Sequence, residues 1–208
     1  MIQLPGKAYI ARHGETVFNS ARRIQGDLLH TPLTRAGIAQ AEQMGAQLAA
    51  QLGKKPRLSL WSSPTGRALQ TLAIIAEHLD LDWHAAHPDA RLVEIGMGSW
   101  DGRYYPDIIA ETGDIFDPAL GVFTRVAPGG ESYADVADRL RPWVAERSAP
   151  RDRLIIMHGV SSQVLRGLLT GGAAHPNCGT PVGERLPQGS VAMVENGQET
   201  VVVRGTGA

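Results

Sequence analysis

The chain has a single cysteine in 208 residues, Cys178. An internal disulfide framework and a multi-cysteine zinc site are therefore excluded, which fits a reducing compartment. It also lacks a dominant charge: 20 basic against 21 acidic residues leave a net charge of −1. No global field recruits nucleic acid or an anionic membrane, so any anion must be gripped by a local arrangement. No apolar run approaches a membrane span, and the opening "MIQLPGKAYI" lacks the apolar core of a signal peptide; a soluble, cytoplasmic protein is expected. Missing too are a "GxxxxGK[ST]" loop and paired aspartates after a strand, which disfavours an NTPase or a magnesium-dependent aspartyl phosphatase. "HGVSSQ" is not a nucleophile elbow, because its glycine and serine spacing fails. Cys178 precedes Arg185 by seven positions, one more than a cysteine-phosphatase loop needs, and no strand leads into it.

What is present is a repeating grammar. Short apolar runs at 8–11, 58–61 and 154–157 each end in turn or polar signals and are followed by a helical pattern. Thr34 and Gly53 bracket one helix as caps. Ser63 and Pro64 are expected to open a second helix, and Gly171 to close a third. Such alternation predicts an α/β fold, a three-layer α/β/α sandwich with a mostly parallel sheet. "VENGQ" places Asn196-Gly197 between two β-rich segments, so at least one antiparallel strand is expected from a two-residue hairpin. Pro142 inside the helical segment 132–148 predicts a kink or two abutting helices. Residues 1–208 read as one domain, with insertions at about 96–130 and 171–189 over one end of the sheet and a frayed "GTGA" tail. His84 and His87 in "WHAAHPD" fit a solvated edge or loop better than a metal site.

Ligands of open parallel sheets bind beyond the carboxyl ends of the strands. Arg12-His13-Gly14 and His158-Gly159 fall at that edge, and Arg67 sits one turn into the helix after the 58–61 run. Two arginines and two histidines in one place suit a tetrahedral dianion, since guanidinium groups fork onto two oxygens and helix N-termini add backbone donors. With cysteine and serine set aside, a histidine nucleophile attacking phosphorus remains. It must be neutral and in one tautomer, with Gly14 leaving room for close approach. The leaving alcohol also needs a proton, and a carboxyl group beside a dianion is driven toward its protonated form. Glu94, at the end of a β-like run 91–94, supplies that group. Asn19 and Gln25 by themselves suit hydrogen bonds within the loop. Glu15 and Thr16 suit building or capping the turn, and Ser132 capping a helix.

Taken together, "RHGET" (12–16), Asn19, "QGD" (25–27), "PLTRAGIAQA", "SSPTGRALQT", "RLVEIGMGSWDG", "PGGES" (128–132) and "MHGVSSQVLRGLL" resemble the histidine phosphatase superfamily, the phosphoglycerate mutase-like family. The resemblance implies an α/β/α fold that needs no metal or other cofactor. It implies His13 as the phosphorylated nucleophile, Arg12, Arg67, His158 and Gly159 around the phosphoryl oxygens, Asn19 and Gln25 assisting, and Glu94 as proton donor and then activator of water. His158 would act as donor while His13 attacks, so the two require opposite protonation behaviour. Between 97 and 127, Arg103 and Arg125 face Asp101, Asp107, Glu111, Asp114 and Asp117, an excess expected to repel a second phosphate. Trp100, Tyr104, Tyr105, Phe116 and Phe123 suit either a sheltered aromatic leaving group or a small core of that segment's own. Hydrolysis of a small phosphorylated metabolite is the expected activity. A 2,3-bisphosphoglycerate-dependent mutase and a non-catalytic phospho-ligand module are the alternatives. A homodimer stays open.

Overall fold

The computed structural model describes residues 2–119 and 121–207. Six strands form one sheet in the order β3 (His87–Pro88), β2 (Leu58–Ser62), β6 (Asp152–Met157), β1 (Ala8–Arg12), β7 (Val191–Glu195), β8 (Gln198–Val203). The first four run parallel, and β7 and β8 are antiparallel to their neighbours. Alternation along the strands divides the core. Ala8, Ile10, Ile155 and Met157 pack in the cluster shared by α5 (Tyr133–Ala145) and α6 (Gly159–Thr170). Tyr9, Ala11, Leu154 and Ile156 face α2 (Arg35–Leu52) and α3 (Gly66–Leu79). Side chains on both faces of the central strands are thus buried, which is why β1 and β6 are continuous apolar runs rather than alternating ones.

The punctuation acts mostly as expected. Thr34 Oγ1 accepts from Gly37 N at 3.0 Å, Gly53 closes α2 at φ 75°, and Gly171 ends α6 at φ 71°. Asn196 (φ 50°) and Gly197 (φ 77°) form the two-residue turn between β7 and β8, a pair of left-handed conformations that Asn-Gly adopts readily. Ser132 caps α5 in a capping box with Asp135.

Four expectations change. Helix α3 begins at Gly66 with Thr65 as N-cap, because Ser63 still bonds through its N–H to Ile156 O of the sheet. Residues 91–94 are not a strand: Asp89 Oδ1 accepts from Arg91 N and starts a single 3-10 turn, Ala90–Leu92. Helix α5 runs through Pro142 as one element. Pro142 and Asp138, the residue whose carbonyl a proline cannot serve, are both on the exposed side, where solvent can take that carbonyl. The tail is not frayed through Gly207: Gly205 N donates to Ser190 Oγ and Gly207 N to Gln188 O, while Ala208 lies outside the described residues.

The segment 96–130 contributes α4 (Tyr105–Thr112) and a small hairpin of β4 (Phe116–Asp117) and β5 (Val122–Phe123). The segment 171–189 has neither helix nor strand. His87 lies on the edge strand with its ring 4.8 Å from Trp61, and both His84 and His87 are exposed. No described helix is long and apolar enough to cross a membrane.

Candidate active site

Parallel pairing of β1 with β6 puts Arg12 opposite Met157, so His13 and His158 leave the sheet side by side, with ring centroids 5.0 Å apart. Strand β2 turns into α3 on the far side of β6 and delivers Arg67. Strand β3 leads through the 90–92 turn to Glu94. Four chain crossings meet at one sheet edge around an inner chamber of ≈ 100 Å³ lined by Arg12, His13, Asn19, Gln25, Arg67, Glu94 and Gly159.

The two rings are held in opposite tautomers. His13 Nδ1 lies 2.7 Å from Gly14 O, an atom that can only accept, so Nδ1 carries the hydrogen and Nε2 the lone pair. Arg67 Nε donates to His158 Nδ1 at 3.2 Å, so the neutral ring of His158 carries its hydrogen on Nε2. That Nε2 is buried and has no hydrogen-bond partner among the described residues. Burial first, then the Arg67 guanidinium, pushes both rings well below the ordinary histidine range. Both are therefore neutral at pH 7. The expected opposite protonation behaviour is replaced by an opposition of tautomers, because the same guanidinium discourages charge on either ring.

Arg67 is fully buried and committed. Besides His158, it donates through Nη1 to Leu28 O (2.6 Å) and Thr31 Oγ1 (2.9 Å), and through Nη2 to Gly26 O (2.8 Å). One N–H is left for a ligand oxygen. Arg12 donates from Nη1 to Leu186 O at 2.7 Å. Desolvation is the leading cause that brings both guanidinium groups down to about 10, so they stay charged at neutral pH. Glu94 accepts from Ile95 N (3.0 Å) and from two N–H groups at the start of α6, Val160 (3.1 Å) and Ser161 (2.9 Å). A Cβ on Gly159 would lie at ordinary contact distance from both groups, 3.4 Å from Glu94 Oε2 and 3.6 Å from Arg12 Cζ, so the start of α6 packs directly against them.

Gly14 has a different use from the one expected. A Cβ there would lie 2.2 Å from Gly37 O, and one on Gly37 would lie 2.0 Å from Glu15 O. The space is filled by the backbone of α2, not by a ligand. Thr16 caps the short helix α1 (Val17–Ser20), with Asn19 completing the capping box. Its Oγ1 also lies 2.7 Å from Gln25 Oε1, and Asn19 and Gln25 line the chamber as expected.

Three arginines, Arg139, Arg23 and Arg185, have roles that the sequence does not reveal. Arg139 donates to Glu131 and to the carbonyls of Arg91, Val93 and Glu94, and Glu131 accepts from Gly96 N, so this pair braces the backbone on both sides of Glu94. Arg23 and Arg185 line the chamber mouth. Nothing in the local pattern marks them, because Arg185 reaches the site only through the fold of an irregular segment. The aromatic group divides: Trp100 is core and Tyr104 is exposed, whereas Tyr105, Phe116 and Phe123 pack on one another and line the chamber as well. The acidic residues of 97–127 divide: Glu111 pairs with Arg103, whereas Asp101 sits against Gly26, near Asp27 and close enough to act on Arg67. Among the described residues, no group of three or more His, Cys, Asp or Glu is arranged to hold a metal ion.

The buried neutral histidines have a consequence for stability. Their folded-state affinity for protons is lowered, so as pH falls through about 6.5 the unfolded chain gains protons that the folded chain does not. Stability is complete above that pH and declines below it. Asp101, raised to about 6 by burial and the nearby Asp27, works the opposite way and offsets part of that decline. Urea unfolding should show a loss of about 2–4 kcal/mol between pH 7 and pH 5, and most of that loss should vanish in the double variant His13→Asn, His158→Gln. An unchanged pH slope in the variant would show that other groups carry it.

A profile described as the histidine phosphatase superfamily (branch 1) matches residues 8–197. The chain belongs to this superfamily. It is 33% identical over 156 residues to a Caenorhabditis elegans 6-phosphofructo-2-kinase/fructose-2,6-bisphosphatase, covering 74% of this chain but only 32% of that protein. It is also 33% identical over 174 residues to the probable phosphoglycerate mutase GpmB of Yersinia pestis, covering 81% and 77% of the two chains. Among solved structures, this superfamily member resembles a mycobacterial glucosyl-3-phosphoglycerate phosphatase in complex with VO3. The TM-score is 0.75 at 25% identity, over 97% of this chain and 99% of that one. Bacillus stearothermophilus YhfR matches with a TM-score of 0.71 at 28% identity, over 98% of each chain. The structural neighbours named as phosphatases agree with a histidine phosphatase architecture and leave the substrate of this member to its own side chains.

Proposed function

We propose that the protein hydrolyses phosphomonoesters of small metabolites in the cytoplasm, without a metal, through a phosphohistidine at His13. The observation that carries this reading is the tautomer pair. A buried neutral His13 offers an Nε2 lone pair, and 5.0 Å away, centroid to centroid, His158 offers an Nε2–H with no partner among the described residues. The first is what in-line attack on phosphorus needs, and the second is a preorganised donor for an equatorial oxygen. Arg12 and the remaining N–H of Arg67 complete the grip on the dianion.

In the first step the His13 Nε2 lone pair forms the N–P bond as the P–O ester bond breaks, and the leaving oxygen takes a proton from Glu94. In the second, Glu94 takes a proton from water as its oxygen attacks phosphorus. The N–P bond breaks, and the electron pair returns to Nε2. Donation from Gly14's neighbour ring nitrogen is constant throughout: Nδ1 keeps its hydrogen on Gly14 O, so the imidazole need not reorient.

The mutase reading is supported by the similarity to GpmB. It requires 3-phosphoglycerate to become 2-phosphoglycerate only in the presence of 2,3-bisphosphoglycerate. A single preparation tests both readings. Turnover of p-nitrophenyl phosphate in chelator, with an acid-labile, alkali-stable phosphoenzyme trapped by rapid quench, is the expected result. No turnover, or label stable to acid, overturns the phosphohistidine route.

A further inference from the structure

Beyond the inner chamber lies a second, wider one of ≈ 510 Å³, continuous with it through shared lining from Arg12, Asn19, Arg23, Tyr105, Phe116 and Arg185. Its remaining wall includes Arg22, Ile109, Asp114 and Gln188. The charge balance of this wall is four guanidinium groups to one carboxylate. Among the described residues, no carboxylate lies within ion-pair distance of Arg22, Arg23 or Arg185. Arg185 instead stands over the Phe116 ring at 5.2 Å, and Arg23 lies between the Phe18 (4.6 Å) and Tyr104 (5.1 Å) rings. Aromatic faces fix the direction of these groups without neutralising them. After burial, Arg185 is the group that most lowers the proton affinity of the Arg12 guanidinium. Repulsion of this kind is relieved by an anion placed between like charges. Gln188, which lines the chamber, is 1% exposed, and its Oε1 has no hydrogen-bond partner among the described residues.

Resting on the hydrolase reading above, we infer that the leaving group of the substrate carries a second oxyanion, a carboxylate or a phosphate, held in the outer chamber by Arg22, Arg23 and Arg185. A guanidinium fork suits either anion, and a hydroxyl on the same leaving group would satisfy Gln188 Oε1. The aromatic wall of Tyr105 and Phe116 then lies along the carbon skeleton between the two charged ends. This assigns Arg185, from an irregular segment outside the sequence motifs, as a specificity determinant.

The test uses substrate pairs that differ in the second charge: glycerol 3-phosphate against 3-phosphoglycerate for a carboxylate, and fructose 6-phosphate against fructose 1,6-bisphosphate for a phosphate. In at least one pair, kcat/KM should favour the member with the second anion by about tenfold or more. That preference should shrink about fivefold or more in Arg185→Ala, chiefly through KM, and should also shrink in the exposed variant Arg22→Gln. The second variant serves if the first does not fold. Equal handling of both pairs by the wild type, or a preference untouched in the folded variants, overturns the inference while hydrolysis of p-nitrophenyl phosphate stands. Failure to hydrolyse p-nitrophenyl phosphate or any pair member overturns the underlying reading, and the inference with it.

Discussion

Replacing His13 with glutamine is expected to lower kcat for phosphomonoester hydrolysis by on the order of 10⁴-fold or more, because no other group can take its place as nucleophile. The same replacement at His158 should cost about 10²- to 10³-fold, the scale of losing one preorganised donor to a charged transition state. The asymmetry follows from hydrogen-bond partners, not from position, since both rings are buried, neutral and at the same sheet edge. His13 gives its hydrogen to Gly14 O and keeps a lone pair. His158 gives its lone pair to Arg67 Nε and keeps a hydrogen. Glutamine offers an amide N–H that partly replaces a donor, and nothing that replaces an attacking lone pair. Steady-state kcat for the two variants, with rapid-quench trapping of phosphoenzyme, checks this. Equal losses at both positions, or a phosphoenzyme in His13→Gln, would reverse the assignment.

The second large effect is expected from Arg67→Lys, a change that keeps the charge. Arg67 binds acceptors in three directions: Gly26 O, then Leu28 O with Thr31 Oγ1, then His158 Nδ1. A lysine ammonium at the end of a flexible stem cannot reach this set, and each buried acceptor left without a donor costs about 1–3 kcal/mol. The variant should therefore lose about 3 kcal/mol or more of stability, read from the urea midpoint. It should also lose activity beyond the unfolded fraction, because His158 no longer has the Nε–H that fixes its tautomer. A ¹⁵N spectrum of the His158 ring separates the two contributions: a mixed tautomer population reports lost positioning. A variant within about 1 kcal/mol of wild type and fully active would show that the 26–31 loop is held by other contacts.

Much of this site is legible in the sequence because parallel strands are short, apolar and end abruptly. "IARHG" and "IIMHG" each announce a strand and deliver a histidine at its carboxyl end, and the helix patterns between them require a parallel crossover. Glu94 was reached through a β-like run that does not exist as a strand. The residue is nevertheless in the site, because the edge strand one turn earlier brings the chain to the same place. Gly14 was misread for a related reason. A glycine beside a nucleophile suggests ligand approach, and only the packing of α2 reveals that Gly37 occupies the space.

The insertion charges show the limit most clearly. Counting acidic residues between 97 and 127 suggested repulsion of a second anion, yet sequence proximity does not fix which way a side chain faces. Glu111 is neutralised by Arg103, while Arg22, Arg23 and Arg185 arrive from other segments to line the outer chamber. By itself the sequence determined the order of the main strands and helices, and with it the meeting of Arg12, His13, Arg67 and His158, since apolar periodicity and capping residues are local signals. Only the tertiary structure decided the tautomers of the two histidines, the brace of Arg139 and Glu131 behind Glu94, and the sign of the field in the outer chamber. Those depend on hydrogen-bond partners and charges up to 91 or more positions apart, as between Arg67 and His158, and no local pattern encodes such pairings.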